Sequence, residues 1–475
     1  MRLFLERFCR ALFSSITDPL FFHSFVDFSQ KMLYDGGIYK YFIRERKIAM
    51  AKTTVEKQIH SRKITTPNCI YNILGTVWRL FMYKQYNVHY IFKTDFRKEP
   101  GPYFFISNHA SRLDYIFTGV PLLPVRMNFV AGYNEFHRSH LSFVFRLLRV
   151  IPKKNFTPDL YTVKEISRVI KSGGRVCIFP EGMSSISGAN QPVALGTGKL
   201  FKHHKVPVYY SVIRGGYLTS PKYNLKDRCG RVEVEFDRLF TVEDLERLTP
   251  EQIEETINKA IYHDDYAWNK LHKHSYDIGE NGAEHLEDLL FWCPKCGKQH
   301  TMVSKGNTIF CTACGNGATL TDTYELIPFD DTCVIPETQT KWFEMEREVI
   351  RKEVTAEDFV LEEKVELGIL PDFALLKNQA TSQIVGSGSL RLDRTGLTYT
   401  GTKNGEDFRF HIDSHALPTY GMCTDVSRFY TFLNGQFLEF YPEHNVVEKF
   451  FLATEELHRL NGGKWKAFPA PEQAD

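Results

Sequence analysis

Tyr103-Phe104-Phe105-Ile106-Ser107 runs into Asn108-His109-Ala110-Ser111-Arg112-Leu113-Asp114. The apolar run reads as a buried strand, and Leu113 onward reads as the start of a helix. A histidine thus stands at a strand end, with an aspartate five residues later in the first helical turn. A loop that folds back there lets Asp114 accept a hydrogen bond from one imidazole nitrogen. That fixes the tautomer and leaves the other nitrogen free to take a proton. A histidine oriented by a carboxylate is half of a triad whose nucleophile is still to be supplied, and a substrate can supply it. Two plainer readings stand beside this one. Ser111-x-x-Asp114 resembles a helix capping box. His-x4-Asp is also a cheap pattern in a chain with 17 histidines, and His272 with Asp277 repeats it in a polar stretch with no strand before it.

Outward from this stretch, further apolar runs occur at 127–131, 176–179, 206–213 and 232–236. Helical stretches lie between them, for example 139–148 and 161–171. Strands alternating with helices argue for an α/β layered domain with a largely parallel or mixed sheet. Ligands of such sheets bind outside the carboxyl ends of the strands. His109 follows one strand. Glu181 follows another, in Phe179-Pro180-Glu181-Gly182, so the two can converge on one cleft. Lys153 and Lys154 follow a third candidate strand, Val150-Ile151-Pro152. They suit a phosphate or headgroup, or else form a solvated basic pair.

The 475 residues make about two to four domains, and 43% hydrophobic with 24% charged residues is ordinary for a globular protein. Charge is unevenly spread: residues 1–100 hold 17 Lys+Arg against 8 Asp+Glu, and residues 335–475 hold 15 against 23. A basic, aromatic-rich beginning suits an anionic membrane surface better than nucleic acid. Phe4, Phe8, Leu12 and Phe13 can share one helix face, with Arg2, Arg7 and Arg10 around it. Such a helix lies in a membrane interface or packs on the protein's own core. Residues 69–92, with Tyr71, Trp78, Phe81, Tyr83, Tyr86 and Tyr90, read as a second such helix leading into a strand. No uninterrupted apolar stretch reaches the length of a transmembrane helix, and the charged start argues against a signal peptide. The expected location is the cytoplasmic face of the cell membrane, as a peripheral or monotopic protein.

Asn108-His109-x-Ser111-x-x-Asp114, then Phe179-Pro180-Glu181-Gly182, then Val206-Pro207-Val208 resemble the glycerolipid acyltransferases of the lysophosphatidate (1-acylglycerol-3-phosphate) type. The resemblance covers about residues 70–260. It implies that His109 is a general base on an acceptor hydroxyl and that Asp114 orients it. The hydroxyl would attack the thioester of acyl-CoA or acyl carrier protein. It also implies that Pro180, Glu181 and Gly182 belong to the acceptor-binding block, with Asn108 and Ser111 beside the catalytic pair. Lys153 and Lys154 fall where the family has another acceptor-binding motif, with a looser match. In one departure, the family's Arg after the Gly is here Ser184, in Met183-Ser184-Ser185. A bidentate phosphate partner is thereby missing. Lys153, Lys154 or Arg214 can compensate, or the acceptor is another lysolipid.

Residues 249–290 read as a helix at 249–263 and then a polar linker through Asn281-Gly282. Cys293-Pro294-Lys295-Cys296 and Cys311-Thr312-Ala313-Cys314 follow, 14 residues apart, each with Gly after it. This spacing predicts a four-Cys zinc ribbon, structural because four thiolates leave no open position. No catalytic metal is expected, and Lys295, Lys298 and Lys305 are too thin a patch for nucleic acid. Past 335, a charged helix at 341–354 precedes short runs at 359–361, 389–392, 397–400, 408–412, 429–433, 437–441 and 449–452. Turn signals divide them, including Lys403-Asn404-Gly405 and Leu433-Asn434-Gly435. They predict a mostly antiparallel barrel or sandwich closed by a short helix near 454–460, in outline like the pleckstrin-homology class. Its default role is regulatory or protein-binding.

The chain divides into a basic helical region (1–68), an acyltransferase domain (69–285), a zinc ribbon (288–325) and a β-rich unit (335–470). The expected activity is acyl transfer to a lysophospholipid, foremost 1-acylglycerol-3-phosphate, in phospholipid synthesis. The alternative is an inactive membrane-associated scaffold that presents the ribbon and the β unit to protein partners.

Overall fold

The computed structural model describes residues 53–378 and 380–465; the side chains of 81–84 are outside that description. The expected interfacial helix at Phe4–Phe13 and the rest of the first 52 residues lie outside it too. The first sheet has seven strands: β1 (Asn87–Phe92), β2 (Tyr103–Ser107), β3 (Asn128–Gly132), β4 (Ile151–Lys153), β5 (Arg175–Ile178), β6 (Val208–Arg214) and β7 (Arg231–Phe240). Their order is β1-β7-β6-β2-β5-β3-β4. Neighbours are parallel except β6 and β7, so the sheet is mixed.

Every residue of β2 is buried. Tyr103 and Phe105 join the core on one face; Phe104 and Ile106 join a separate core on the other. A strand covered on both faces needs the continuous apolar run that the sequence carries. The helices Leu160–Lys171 and Pro250–Ile261 close the second face with Val169, Ile253 and Ile257. Both start at side-chain caps: Asp159 accepts from Thr162 N, and Thr249 with Gln252 forms a capping box ahead of Pro250.

Four antiparallel strands follow, β8 (Met302–Lys305), β9 (Thr308–Cys311), β10 (Gly317–Leu320) and β11 (Leu326–Pro328). After the helix Gln339–Glu353 comes a third sheet: β12 (Val360–Ile369), β13 (Gln383–Asp393), β14 (Gly396–Lys403), β15 (Glu406–Asp413), β16 (Gly421–Met422), β17 (Phe429–Leu433) and β18 (Gln436–Pro442). It is antiparallel in the order β15-β14-β13-β12-β18-β17-β16. The two predicted Asn-Gly turns lie where expected, with Asn404, Gly405, Asn434 and Gly435 all at positive φ.

Two expectations are corrected. Residues 449–452, read as a strand, belong to the helix Val447–Leu460. Its residues from Val447 to Leu457, Lys449 excepted, are buried on every side, so neither period shows in the pattern. The polar linker after 263 contains the helix Asp265–His272, and Tyr276, Ile278, Leu286 and Phe291 beyond it are buried. Those residues belong to one core that also takes in Phe105, Ile309, Trp342 and Phe450, so the three sheets share a single interior.

Among the described residues, no helix is long and apolar enough to cross a membrane. The helix Cys69–Gln85, expected as an interfacial helix, exposes Ile73 and Leu80 at its surface.

Candidate active site

β2 ends where its sheet neighbours hold the next residue in place. Asn108 Nδ2 donates to Ile213 O (2.9 Å), and Ile213 N donates back to Asn108 Oδ1 (2.7 Å). Both bonds are buried, so Asn108 staples the end of β2 to β6. The chain then turns, and Asp114 opens the helix Asp114–Gly119. His109 Nδ1 donates to Asp114 Oδ2 at 2.8 Å. Asp114 also accepts from Ser111 N (2.9 Å) and Ser111 Oγ (3.2 Å). Three donors converge on a carboxyl with no exposed surface. Burial raises its pKa, and the bonds from His109 and Ser111 pull it back down. The Ser111 bonds and the histidine pairing therefore share one carboxylate, while the reciprocal half of a capping box is absent: Ser111 Oγ accepts from Leu113 N rather than Asp114 N. With Nδ1 spent on Asp114, Nε2 keeps its lone pair. The His109 ring stacks on Phe179 with centroids 4.6 Å apart, and its side chain stays 23% exposed.

His272 and Asp277 part ways. His272 Nδ1 bonds to Trp268 O in its own helix, and its ring stacks against Trp268 and His274.

Glu181 was expected to touch the acceptor. Instead it is wholly buried, and its oxygens take three N–H donors: His109 N (2.6 Å), Asn190 Nδ2 (2.7 Å) and Gln191 N (2.7 Å). Burial pushes its pKa up to about 8, against the pull of those donors. Its place is to hold the His109 main chain. Pro180 is buried beside it, and Gly182 turns the chain at a φ of 83° with Phe156 close by. Glu181→Gln sets an amide NH2 against one of these donors. It should cost about 1–3 kcal/mol, read as a lower urea midpoint, and lower kcat with acceptor KM unchanged. A raised acceptor KM at unchanged kcat would instead place Glu181 against the acceptor.

Lys154 has partners of its own. Its ammonium donates to Gly435 O in the β17–β18 turn (2.8 Å), stands 3.6 Å from Glu56 and lies over the Tyr133 ring. It ties the first sheet to the third. Lys153 is half-buried at the end of β4, and burial lowers its pKa. Arg214 reaches towards Glu235 at 3.8 Å. The cation beside Ser184 is Lys222, whose Nζ donates to Ser184 Oγ (3.2 Å) and Ser184 O (3.3 Å). Burial lowers its pKa to about 8. Lys222 carries no motif that singles it out in the sequence, and only the fold brings it to Ser184.

The four cysteines converge. Their sulfurs all lie within 4.8 Å of one another, with Cys293 to Cys314 at 3.7 Å and Cys296 to Cys311 at 3.8 Å. A tetrahedron of thiolates about 2.3 Å from a metal has edges of about 3.8 Å, so the donor set fits a structural metal ion. The two halves repeat one geometry: Gly297 N donates to Cys293 O and Gly315 N to Cys311 O, both at 2.9 Å, and each Gly has a φ of 74°. Nothing crowds either glycine; the positive φ is what calls for it.

Residues 87–214, from β1 to the end of β6, match the family model described as Acyltransferase. The chain is also similar to the crystal structure of the 1-acyl-sn-glycerophosphate (LPA) acyltransferase, PlsC, from Thermotoga maritima. The identity is 15% and the TM-score 0.38, over 54% of this chain and 98% of that one. No curated protein matches.

Proposed function

We propose that the protein moves a fatty acyl group from acyl-CoA or acyl carrier protein to a hydroxyl of a lysophospholipid, foremost 1-acylglycerol-3-phosphate, in phospholipid synthesis. The observation that carries this reading is the 2.8 Å His109–Asp114 pair at the carboxyl end of β2, inside the acyltransferase-family domain. His109 Nε2 takes the proton of the acceptor hydroxyl as its oxygen attacks the thioester carbonyl. The tetrahedral intermediate collapses, the C–S bond breaks, and the thiolate leaves and takes a proton. Asp114 carries the charge of the imidazolium in between. The substrate's own hydroxyl completes the triad.

In this reading the acceptor's anion meets Lys222, the cation at the Ser184 position. One charge-assisted bond is worth about 2 kcal/mol, so Lys222→Met should raise the KM for a phosphomonoester lysolipid roughly thirtyfold and leave that for a neutral lysolipid alone. Equal effects on both acceptors would remove Lys222 from headgroup recognition. The four cysteines hold one structural zinc. The third sheet and its closing helix act as a pleckstrin-homology-like, protein-binding unit. The chain works on the cytoplasmic face of the membrane as a peripheral or monotopic protein, a placement that the exposed Ile73 and Leu80 support.

Purified protein, labelled acyl-CoA and a panel of lysolipids test the activity. Diacyl product is expected, greatest with lysophosphatidate. A wild type as inert as His109→Ala on every acceptor and both donors would favour the scaffold reading.

A further inference from the structure

A second histidine–carboxylate pair backs the first. His263 Nε2 stands 2.8 Å from Asp265 Oδ1, out of line for a hydrogen bond, and both side chains are nearly buried. Asp265 does not cap its helix, because Asp264 accepts from Tyr266 N and Ala267 N. Its two oxygens are instead occupied by the main chain of another segment: Gly215 N donates to Oδ1 and Tyr217 N to Oδ2, both at 2.7 Å. Gly216 lies between those two. A Cβ on Gly216 would stand 3.1 Å from the Ala110 Cβ and 3.6 Å from Asp114 Oδ1. The Asp265 carboxylate therefore fixes a stretch of backbone that runs close beside Asp114.

The same pair reaches His109 by the other side. His263 N donates to Asn190 Oδ1 (2.7 Å), and Asn190 Nδ2 donates to Glu181 Oε1 (2.7 Å). That oxygen also accepts from His109 N at 2.6 Å. A chain of hydrogen bonds thus leads from His109 through Glu181 and Asn190 to His263, and Asp265, two residues on, holds Gly215 and Tyr217 on either side of Gly216, which packs near Asp114. Beside these bonds is a cavity of about 10 Å³ lined by His109, Asn190, His263 and Asp265, among others. That is room for about one water. Members of such a network cannot shift singly, because each buried polar group would lose a partner.

We infer that His263 and Asp265 are positioning residues for the His109–Asp114 pair, acting through the Gly215–Tyr217 main chain and through Asn190 with Glu181. The inference rests on the acyl-transfer reading. Small misplacements of a reacting group cost about 10- to 100-fold in rate. Asp265→Asn should lower kcat by that amount, with KM for acyl-CoA and lysophosphatidate held within about twofold. His263→Gln keeps a polar group beside Asp265 and should lose less than His263→Phe, a graded rescue that a purely structural role does not predict. Unchanged kcat in Asp265→Asn and His263→Phe, or a loss confined to KM, would overturn the inference.

A second measurement does not depend on turnover. In spectra of ¹⁵N-histidine-labelled protein, the His109 ring N–H signal is the one missing from His109→Ala. It should shift in Asp265→Asn and His263→Gln. If the wild type transfers no acyl group to any acceptor, the activity reading fails, and this signal alone decides the positioning. A His109 signal unmoved in both variants overturns it.

Discussion

His109→Ala should lower acyl transfer by about 10²–10⁴-fold while leaving the fold intact. The ring is 23% exposed and stacks on one face only, and the bond from His109 N to Glu181 survives the truncation. What is lost is the proton acceptor. Asp114→Asn is expected to be nearly as damaging, for a different reason. An amide presents an N–H where the carboxylate takes His109 Nδ1, Ser111 N or Ser111 Oγ, so either the tautomer or the loop is disturbed. Its loss should appear in kcat more than in KM, measured with labelled acyl-CoA and lysophosphatidate. A His109→Ala protein within about tenfold of the wild type would defeat the general-base assignment.

Removal of the metal should have the largest effect on stability. We expect about one zinc per chain by elemental analysis, lost in Cys296→Ser/Cys311→Ser. Zinc ligation in small domains is worth about 10–16 kcal/mol, much of the ordering free energy of the segment it clasps. Here that segment is not peripheral. Cys293, Met302, Ile309, Cys311 and Leu320 lie in the same core as Trp342 and Phe450. Chelation should therefore lower the Tm by roughly 10 °C or more and loosen the contacts between the first and third sheets. A folded wild type without metal, melting at the same temperature after chelation, would sink this prediction. A redox pair would bring two sulfurs to about 2 Å, whereas the sulfurs are spaced for a shared centre.

Parts of this protein were legible because they depend on neighbours in sequence. The buried run before His109 announces β2, since a strand covered on both faces is apolar throughout. The two Cys-x2-Cys-Gly units announce a four-cysteine cluster fit for a metal because the knuckle is local geometry. The Asn-Gly turns likewise carry their own φ requirement. Residues whose surroundings come from distant partners are not legible in this way. Lys154 reads as a headgroup ligand or a solvated cation, and its bond to the Gly435 turn is visible only in the fold. Asp265 and Asn269 looked like linker. They are buried because the chain places main-chain N–H and C=O groups of Gly215, Tyr217, His274 and Thr323 against them. The helix at 447–460 hid its period because it is surrounded by core.

The sequence alone thus determined the alternating α/β class, the four-cysteine site and the candidacy of His109 with Asp114. Tertiary structure decided that His109 pairs with Asp114 while His272 turns to its own helix. It also set Glu181 behind the histidine, and made Lys222 the cation at Ser184. The reason is physical. Periodicity and spacing are written in adjacent residues, but a hydrogen-bond partner a hundred residues away is chosen only when the sheets pack.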